Sequence, residues 1–494
     1  MKTFKLYIAS LLAGGLLLTT SCTKGLEGMN VNPNNSSNAT PDQLIGPAIY
    51  DVVTRNLNRN HRLVGDLMQD HVTRIDNDEV HRYVIRPNES DYMWNNWYLQ
   101  LTNFKDMYSG AEILGNKTYM AISLICQAWV YSLITDTFGD VPFSESNKGR
   151  DRILTPKFDS QKDIYAGIFA MLDSANTLLK SPTTMTLDQM KLDVLYGTAA
   201  TSAIYTANWR KFGNSLYLRL LMRVSSKTDP IAKGLTPVEK IKEIAETKRA
   251  EYPMFVNNNE SAILRFAGVA PTLSPFANWR DYDWNGAISL SHFFVNNLKE
   301  WNDPRITKWA TLWNGTYEGI ESGYELTKVP DARSTYHINL KREPLLGNII
   351  NYPEVQFLLA EAALKGYISG DPKTFYETGV TNAITLWGLA VPTDHLTNPE
   401  VRWDPAEADF AKMEKIHLQK YYTLFFTDFQ QWFEYRRTGH PILPKGPGLK
   451  NNGQMPSRLF YPVYLQSLNG ANYQAAVAAQ GADNLNTLVW WQQP

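Results

Sequence analysis

Apolar residues recur every three to four positions along most of this chain, the spacing that lines one face of a helix. Behind a start at Pro41 and Asp42, the residues Leu44, Ile45, Ala48, Ile49, Val52 and Val53 fall on one stripe. The same period predicts helices over residues 94–114, 119–134, 159–179 and 209–224. The third stops at Ser181 and Pro182, and the fourth (WRKFGNSLYLRLLMRV) sets an apolar face against arginines. Thr236 and Pro237 cap a further helix that reaches residue 248. The period then lapses. Residues 251–352 are dense in Gly, Pro, Asn and Trp, with short extended pieces such as 262–264 (AIL), and predict an irregular segment with minor strand content.

Helical spacing returns over 353–365 and 372–387, two segments joined by residues 366–371 (GYISGD). Ala360, Ala363 and Ala383 are small enough to let such a pair approach closely. Its length and small-residue placement match a tetratricopeptide hairpin, although the usual Trp and terminal Pro are missing. Asp404 and Pro405 read as the cap and first-turn proline of a last long helix, running to residue 433. The expected fold is mostly α: tetratricopeptide-like helical hairpins packed with an irregular, loop-rich ligand-binding region. It forms a single domain over 41–494, with a helical scaffold at 41–250 and 353–440 and the binding region at about 251–352.

The N-terminus follows a different rule. Lys2 and Lys5 precede an uncharged apolar run of thirteen residues, 6–18 (LYIASLLAGGLLL). A membrane-spanning helix needs about 20 apolar residues, so this run has the length of a signal-peptide core. Small residues then lead into Cys22 (LTTSC), an arrangement resembling the bacterial lipobox, in which the cysteine is acylated and becomes the first residue of the mature protein. Residues 1–21 are read as a signal peptide. Residues 22–40, rich in Asn, Ser and Pro, are read as a lipidated, flexible tether. Lipid chains then carry the attachment, and no later stretch is read as long and apolar enough to span a bilayer.

Composition narrows the rest. Hydrophobic residues make up 44% of the chain, enough for a real core. Loss of Lys2 and Lys5 with the signal peptide moves the formal charge from −1 to −3, which argues against nucleic acid as a partner. Of the two cysteines, Cys22 is assigned to lipid, so Cys126 has no disulfide partner and is read as a buried thiol. No phosphate-cradling, zinc-protease or serine-hydrolase motif is present, and neither catalytic residues nor a cofactor are expected. His61, His71 and His81 recur every ten residues near Asp66, Asp70, Asp76 and Asp78. That spacing fits no single helix face, so a solvated surface is expected there rather than a metal site.

Aromatics are the unusual feature, at 14 Trp, 26 Tyr and 20 Phe. Most belong to a core. Residues 276–286 (FANWRDYDWNG) are too polar for that reading, since Trp279, Tyr282 and Trp284 alternate with Asn278, Arg280, Asp281 and Asp283. Flat rings beside planar hydrogen-bonding groups suit oligosaccharide capture: a ring packs on the C–H face of a pyranose while its neighbours bond the hydroxyls. A packed loop or a protein contact uses the same residues.

Seven segments, in order over almost the whole chain, resemble the SusD-like/RagB family of outer-membrane nutrient-binding lipoproteins. They are residues 30–34 (NVNPN), 134–143 (ITDTFGDVPF), 214–223 (NSLYLRLLMR), 302–305 (NDPR), 352–362 (YPEVQFLLAEA), 432–439 (WFEYRRTG) and 456–462 (PSRLFYP). The glutamate common after the last motif is replaced here by Val463, and the acidic residues usual after the lipid cysteine are sparse, with Glu27 among them. Read physically, 135–140 is a helix-ending turn in which Gly139 takes a positive φ. The forked donors of Arg436 and Arg437 hold carbonyls or carboxylates across helices, and both motifs maintain the fold.

The resemblance implies a glycan-binding lipoprotein of the cell outer membrane, facing outside, that delivers its ligand to a SusC-like TonB-dependent transporter and needs no nucleotide. A peptide-binding subunit of such a transporter and a surface glycosidase are the other readings. Relatives tend to pair a later aromatic loop with an N-terminal one, which adds Arg82, Trp94 and Trp97, with Tyr92, as second candidates. Trp94 and Trp97 also open a helix, and a core position suits them equally.

Overall fold

The structure, a computed structural model of the chain, describes residues 39–494; the signal peptide, Cys22 and almost all of the tether lie outside the described residues. Residues 41–494 form one compact unit. The first half is built from α1 (Pro41–Arg59), α2 (Glu89–Ile113), α3 (Lys117–Phe138), α4 (Gln161–Leu178) and α5 (Ser202–Arg223), followed by α6 (Pro237–Lys242). Side-chain caps fix the starts: Asn116 accepts from Tyr119 N, Ser160 from Asp163 N and Thr201 from Ile204 N. At α6, Thr236 and Glu239 complete a reciprocal capping box.

Helix α3 is apolar nearly all round and is sandwiched between α2 and α4. It corrects one expectation, because it is long and apolar enough to cross a membrane. Yet 89% of its most apolar window is buried inside the protein, which makes it the core helix. Cys126 sits on it, buried as expected. The helix ends as its sequence predicts: Gly139 takes φ 85° and donates to Thr135 O at 2.7 Å.

The middle segment carries more order than its composition predicts. Beyond short turns it contains α7 (His292–Glu300), capped by Ser291. Among the described residues there are four short strands: β1 (His71–Thr73), β2 (Ala262–Leu264), β3 (Ile288–Leu290) and β4 (Gly347–Ile350). They pair antiparallel as β1–β3, with His71 opposite Leu290, and β2–β4, with Ala262 opposite Ile350. The β2–β4 pair joins the two ends of the irregular segment. The β1–β3 pair ties its middle to the chain just after α1.

Helices α8 (Tyr352–Leu364) and α9 (Pro372–Leu386) form the expected hairpin. The pair packs tightly at Gly379, where a Cβ would lie 2.7 Å from the Phe357 ring. The predicted helix over 405–433 is two helices, α10 (Asp409–Thr423) and α11 (Gln430–Thr438). Asp404 and Pro405 belong to the turn before α10, where Asp404 Oδ1 accepts from Ala406 N at 2.9 Å. Between the two helices Phe426 and Asp428 take φ of 58° and 37°. Phe425 and Phe426 are drawn into the core, and that packing overrides the helical period. A last helix, α12 (Gly470–Gln480), covers the end of α3, where Gln480 Oε1 accepts from Asp140 N at 2.5 Å.

Buried ion pairs lock the sequence motifs together. Arg219 on α5 grips Glu354 on α8 at 2.6 and 2.5 Å, both fully buried. Asp136 on α3 accepts from Arg223 at 3.1 Å, Tyr165 at 2.6 Å and Trp491 at 2.9 Å. Arg436 donates to the carbonyls of Asp136, at 2.6 Å, and Ser457. Arg437 spans Glu361 and Glu434, at 2.6 and 2.7 Å. These are the cross-helix roles that the forked donors predict.

Candidate ligand-binding site

Residues 276–286 form an exposed loop whose base is fixed by the core. Helix α1 ends in a π-turn, Asn60–Val64, which places His61 under the loop and Arg62 beside it. The His61 ring stacks on Trp284 at 4.9 Å and meets Phe276 at 5.6 Å and the edge of Trp279 at 5.3 Å. Its Nε2 donates to Trp284 O at 2.9 Å, since a carbonyl only accepts. Burial pulls this imidazole down to about 3, so it is neutral and its tautomer is set by that bond. From the other side, Lys341 Nζ donates to Trp279 O at 2.5 Å and pairs with Asp281 at 3.0 Å. Arg342 donates to Ala277 O at 3.0 Å, and Asn285 to Tyr336 O at 3.0 Å.

On this base the loop presents Asn278, Arg280, Asp281, Tyr282 and Asp283 to solvent, with Trp279 half-buried. Tyr282 is 70% exposed, a large apolar area for an unpaired ring. Arg280 and Asp283 form a forked pair at 2.7 and 2.9 Å, and this hydrogen bonding holds the Asp283 carboxyl below its usual range. The Arg62 guanidinium lies 4.9 Å over the Trp279 ring. The same stretch of chain continues backwards along α1 to a cleft of about 640 Å³, lined by Gly46, Pro47, Tyr50, Val194, Pro271 and Thr272. Tyr50 closes its floor by donating to Leu273 O at 2.7 Å. That volume is in the usual range for small-molecule sites.

Four candidates belong to the core instead. Trp284 is fully buried among His61, Phe276, Tyr336 and Phe426, so it holds the loop down and offers no face to a ligand. Arg82 is fully buried and spends its donors on the carbonyls of Ile75, Asn77 and Tyr324, at 3.2 to 3.3 Å. Trp94 packs edge-on against Phe138 at 5.1 Å. Trp97 is buried on Phe429, with its Nε1 donating to Asn56 at 2.9 Å. Tyr92 lies under Arg55 and Arg59, at 5.4 and 4.4 Å.

The expectation of a solvated histidine cluster is also corrected. His61, His71 and His81 are all buried, because the chain folds back through β1 and packs all three rings inside. His71 Nδ1 bonds the Tyr336 hydroxyl at 2.8 Å, and His81 stacks on Tyr324 at 5.0 Å. Among the described residues, Glu361, His417 and Glu434 have the spacing of a metal site. Burial alone would raise these two carboxyls, but the Arg437 charge holds both well below the usual range. Lys420 bonds Glu434 at 2.6 Å and Lys365 pairs with Glu361 at 2.9 Å, so the protein's own cations already fill the cluster.

Arg62 and Lys341 touch the candidate loop, at the Trp279 ring and the Trp279 carbonyl, and sequence reasoning missed both. Neither carries a local signal, since Arg62 is one of several arginines near a helix end and Lys341 lies 60 residues from Asp281.

Residues 33–462 match the family model described as SusD-like, starch-binding and associating with the outer membrane. The chain belongs to the SusD-like family. Solved structures agree on the fold. A SusD homologue from Bacteroides fragilis superposes with a TM-score of 0.78 at 23% identity, covering 92% of this chain and 99% of its own. A chitin-binding SusD homologue from Flavobacterium johnsoniae gives 0.75 at 21% identity, over 92% and 98%. A SusD-like protein from Bacteroides thetaiotaomicron gives 0.76 at 21%, over 91% and 98%. No curated protein matches the sequence. The family is one of outer-membrane nutrient binders, and its fold is helical, as the sequence predicts.

Proposed function

We propose that this SusD-like protein captures an oligosaccharide on the loop at residues 276–286 and delivers it to a TonB-dependent transporter of the SusC type. Cys22 carries the lipid that holds it on the outer face of the outer membrane. One observation carries the binding role: the exposed Tyr282 and half-exposed Trp279 stand among Asn278, Arg280, Asp281 and Asp283 on a loop pinned from beneath by His61, Trp284 and Lys341. A loop held this firmly meets its ligand with little ordering cost, which favours affinity. The starch-binding description of the family and the chitin-binding relative support a glycan as ligand. Glycosidase chemistry needs a carboxylic acid to donate a proton. The forked Arg280 contact instead keeps Asp283 charged, as suits binding.

The test is a calorimetric titration of the chain lacking residues 1–22 against a panel of neutral and acidic glycans and of peptides. Wild type should bind one glycan class saturably. Trp279→Ala and Tyr282→Ala should each weaken that binding about tenfold, which is the loss of about 1.4 kcal/mol of contact. Glycan binding that survives both substitutions would move the site off this loop, and binding of peptides alone would replace the glycan reading.

A further inference from the structure

We infer that the glycan this loop takes is anionic, carrying a carboxylate or a sulfate ester that docks on Arg62 and Arg342 beside Trp279. The inference rests on the glycan reading above and adds the ligand's charge. Its basis is an imbalance in the loop's own ion pairs. Each acid of the loop is already matched by a cation: Asp281 by Lys341 at 3.0 Å and Asp283 by Arg280 at 2.7 Å. Two guanidiniums are left over. Arg62 lies against the Trp279 ring, and Arg342 is anchored by one nitrogen to the carbonyl of Ala277, two residues before that ring. Both are exposed, and among the described residues neither has a carboxylate within 4.0 Å.

Position gives these charges their meaning. An arginine alone on a surface is fully hydrated and flexible. Arg62 has one face covered by an indole, and Arg342 has its fork oriented by a carbonyl, so part of the hydration and rotamer cost is already met. What remains on each is a set of N–H donors pointing at nothing in the chain. Planar, forked donors match the two oxygens of a carboxylate or the three of a sulfate ester better than they match single hydroxyls. Arg62 covers one face of the Trp279 indole, so a pyranose would rest on the exposed Tyr282 ring, with its anionic group reaching the guanidinium that flanks Trp279. A neutral glycan would leave Arg342 with no carboxylate and Arg62 with only the more distant field of Asp283; an anionic one pairs with both.

The experiment uses the full chain in detergent and matched probes that differ in charge alone. Oligogalacturonides are titrated against their carboxyl-reduced galactose counterparts, and a sulfated glycosaminoglycan fragment against its desulfated form. One member of a pair should bind, with its neutral counterpart about tenfold weaker or more, and higher salt should weaken only the charged member. The pair that responds identifies the anion as carboxylate or sulfate. Arg62→Gln and Arg342→Gln should each cost the charged probe about tenfold and so narrow the gap between the charged and neutral members. Equal affinity for charged and neutral members, with both lost in Trp279→Ala, would overturn the charge assignment and leave glycan capture standing. Preference for polyglutamate over every glycan would sink both, as would binding of none of the probes together with none of the panel described above.

Discussion

Replacing His81 by phenylalanine should make the protein less sensitive to acid. The His81 ring is fully buried, stacked on Tyr324 at 5.0 Å and 22°, and neither ring nitrogen has a hydrogen-bond partner among the described residues. Burial lowers its pKa from the ordinary 6.5 to about 4, with Asp66 pulling the other way and Arg82 and His71 adding to the fall. The folded value is the depressed one, so between pH 6.5 and 4 the unfolded chain binds a proton that the folded chain refuses. Stability is therefore lost as pH falls through that window. Integrated from pH 7 to pH 5, this single group removes about 2 kcal/mol. Phenylalanine keeps the stacked ring and cannot titrate. The assay is urea unfolding followed by tryptophan fluorescence at both pH values, comparing the two drops. His61, His71 and His417, each held at about 3, act in the same sense. Asp70 and Asp428, raised by burial to about 7 and about 6, act in the opposite one. All five cancel when the drops are subtracted. Wild type should fall by about 2 kcal/mol more than the variant; equal drops would refute the depressed pKa.

Further outcomes follow from the same structure. Trp284→Ala removes the ring that holds the candidate loop to the core and should cost about 3–5 kcal/mol of stability in urea unfolding, whatever ligand is present. Glu354→Gln leaves the buried Arg219 guanidinium without its carboxylate and should cost about 3–5 kcal/mol by the same assay. Cys22→Ala should release the protein from the membrane fraction and abolish labelling by radioactive palmitate; continued sedimentation with membranes would remove the lipid-anchor reading.

The helical scaffold was legible because its signals are local. Residues 159–179 predict a helix, and the structure has one over Gln161–Leu178, set by the apolar period and the Ser160 cap. The same holds at Gly139 and across the α8–α9 hairpin. Legibility fails where distant partners decide. Trp279 and Trp284 stand five residues apart in the same polar sequence and look equivalent. One surfaces while the other is buried, because His61, Tyr336 and Phe426 converge on the second from far along the chain. Arg82 looks like a surface cation until its three carbonyl partners are assembled. Phe425 and Phe426 fit a helical stripe, yet the core draws them out of it and breaks the helix there. In each case the sequence specifies that a ring or charge needs partners and leaves open where they come from.

The β2–β4 pairing has an evolutionary consequence. Because Ala262 and Ile350 lie side by side, the segment between them leaves the helical scaffold and returns to it at one place, and the β1–β3 pair ties its middle to the chain just after α1. Its exposed loops, away from that tie and from the buried Trp284 and Tyr336, can be exchanged, lengthened or shortened while the helices feel no change in the distance they must span. On the proposed reading, most of the recognition surface can then be rewritten within this insert while the body is kept, with Arg62 the partner that lies outside it. Grafting residues 262–350 together with the residue at position 62 between relatives of different diet should transplant specificity.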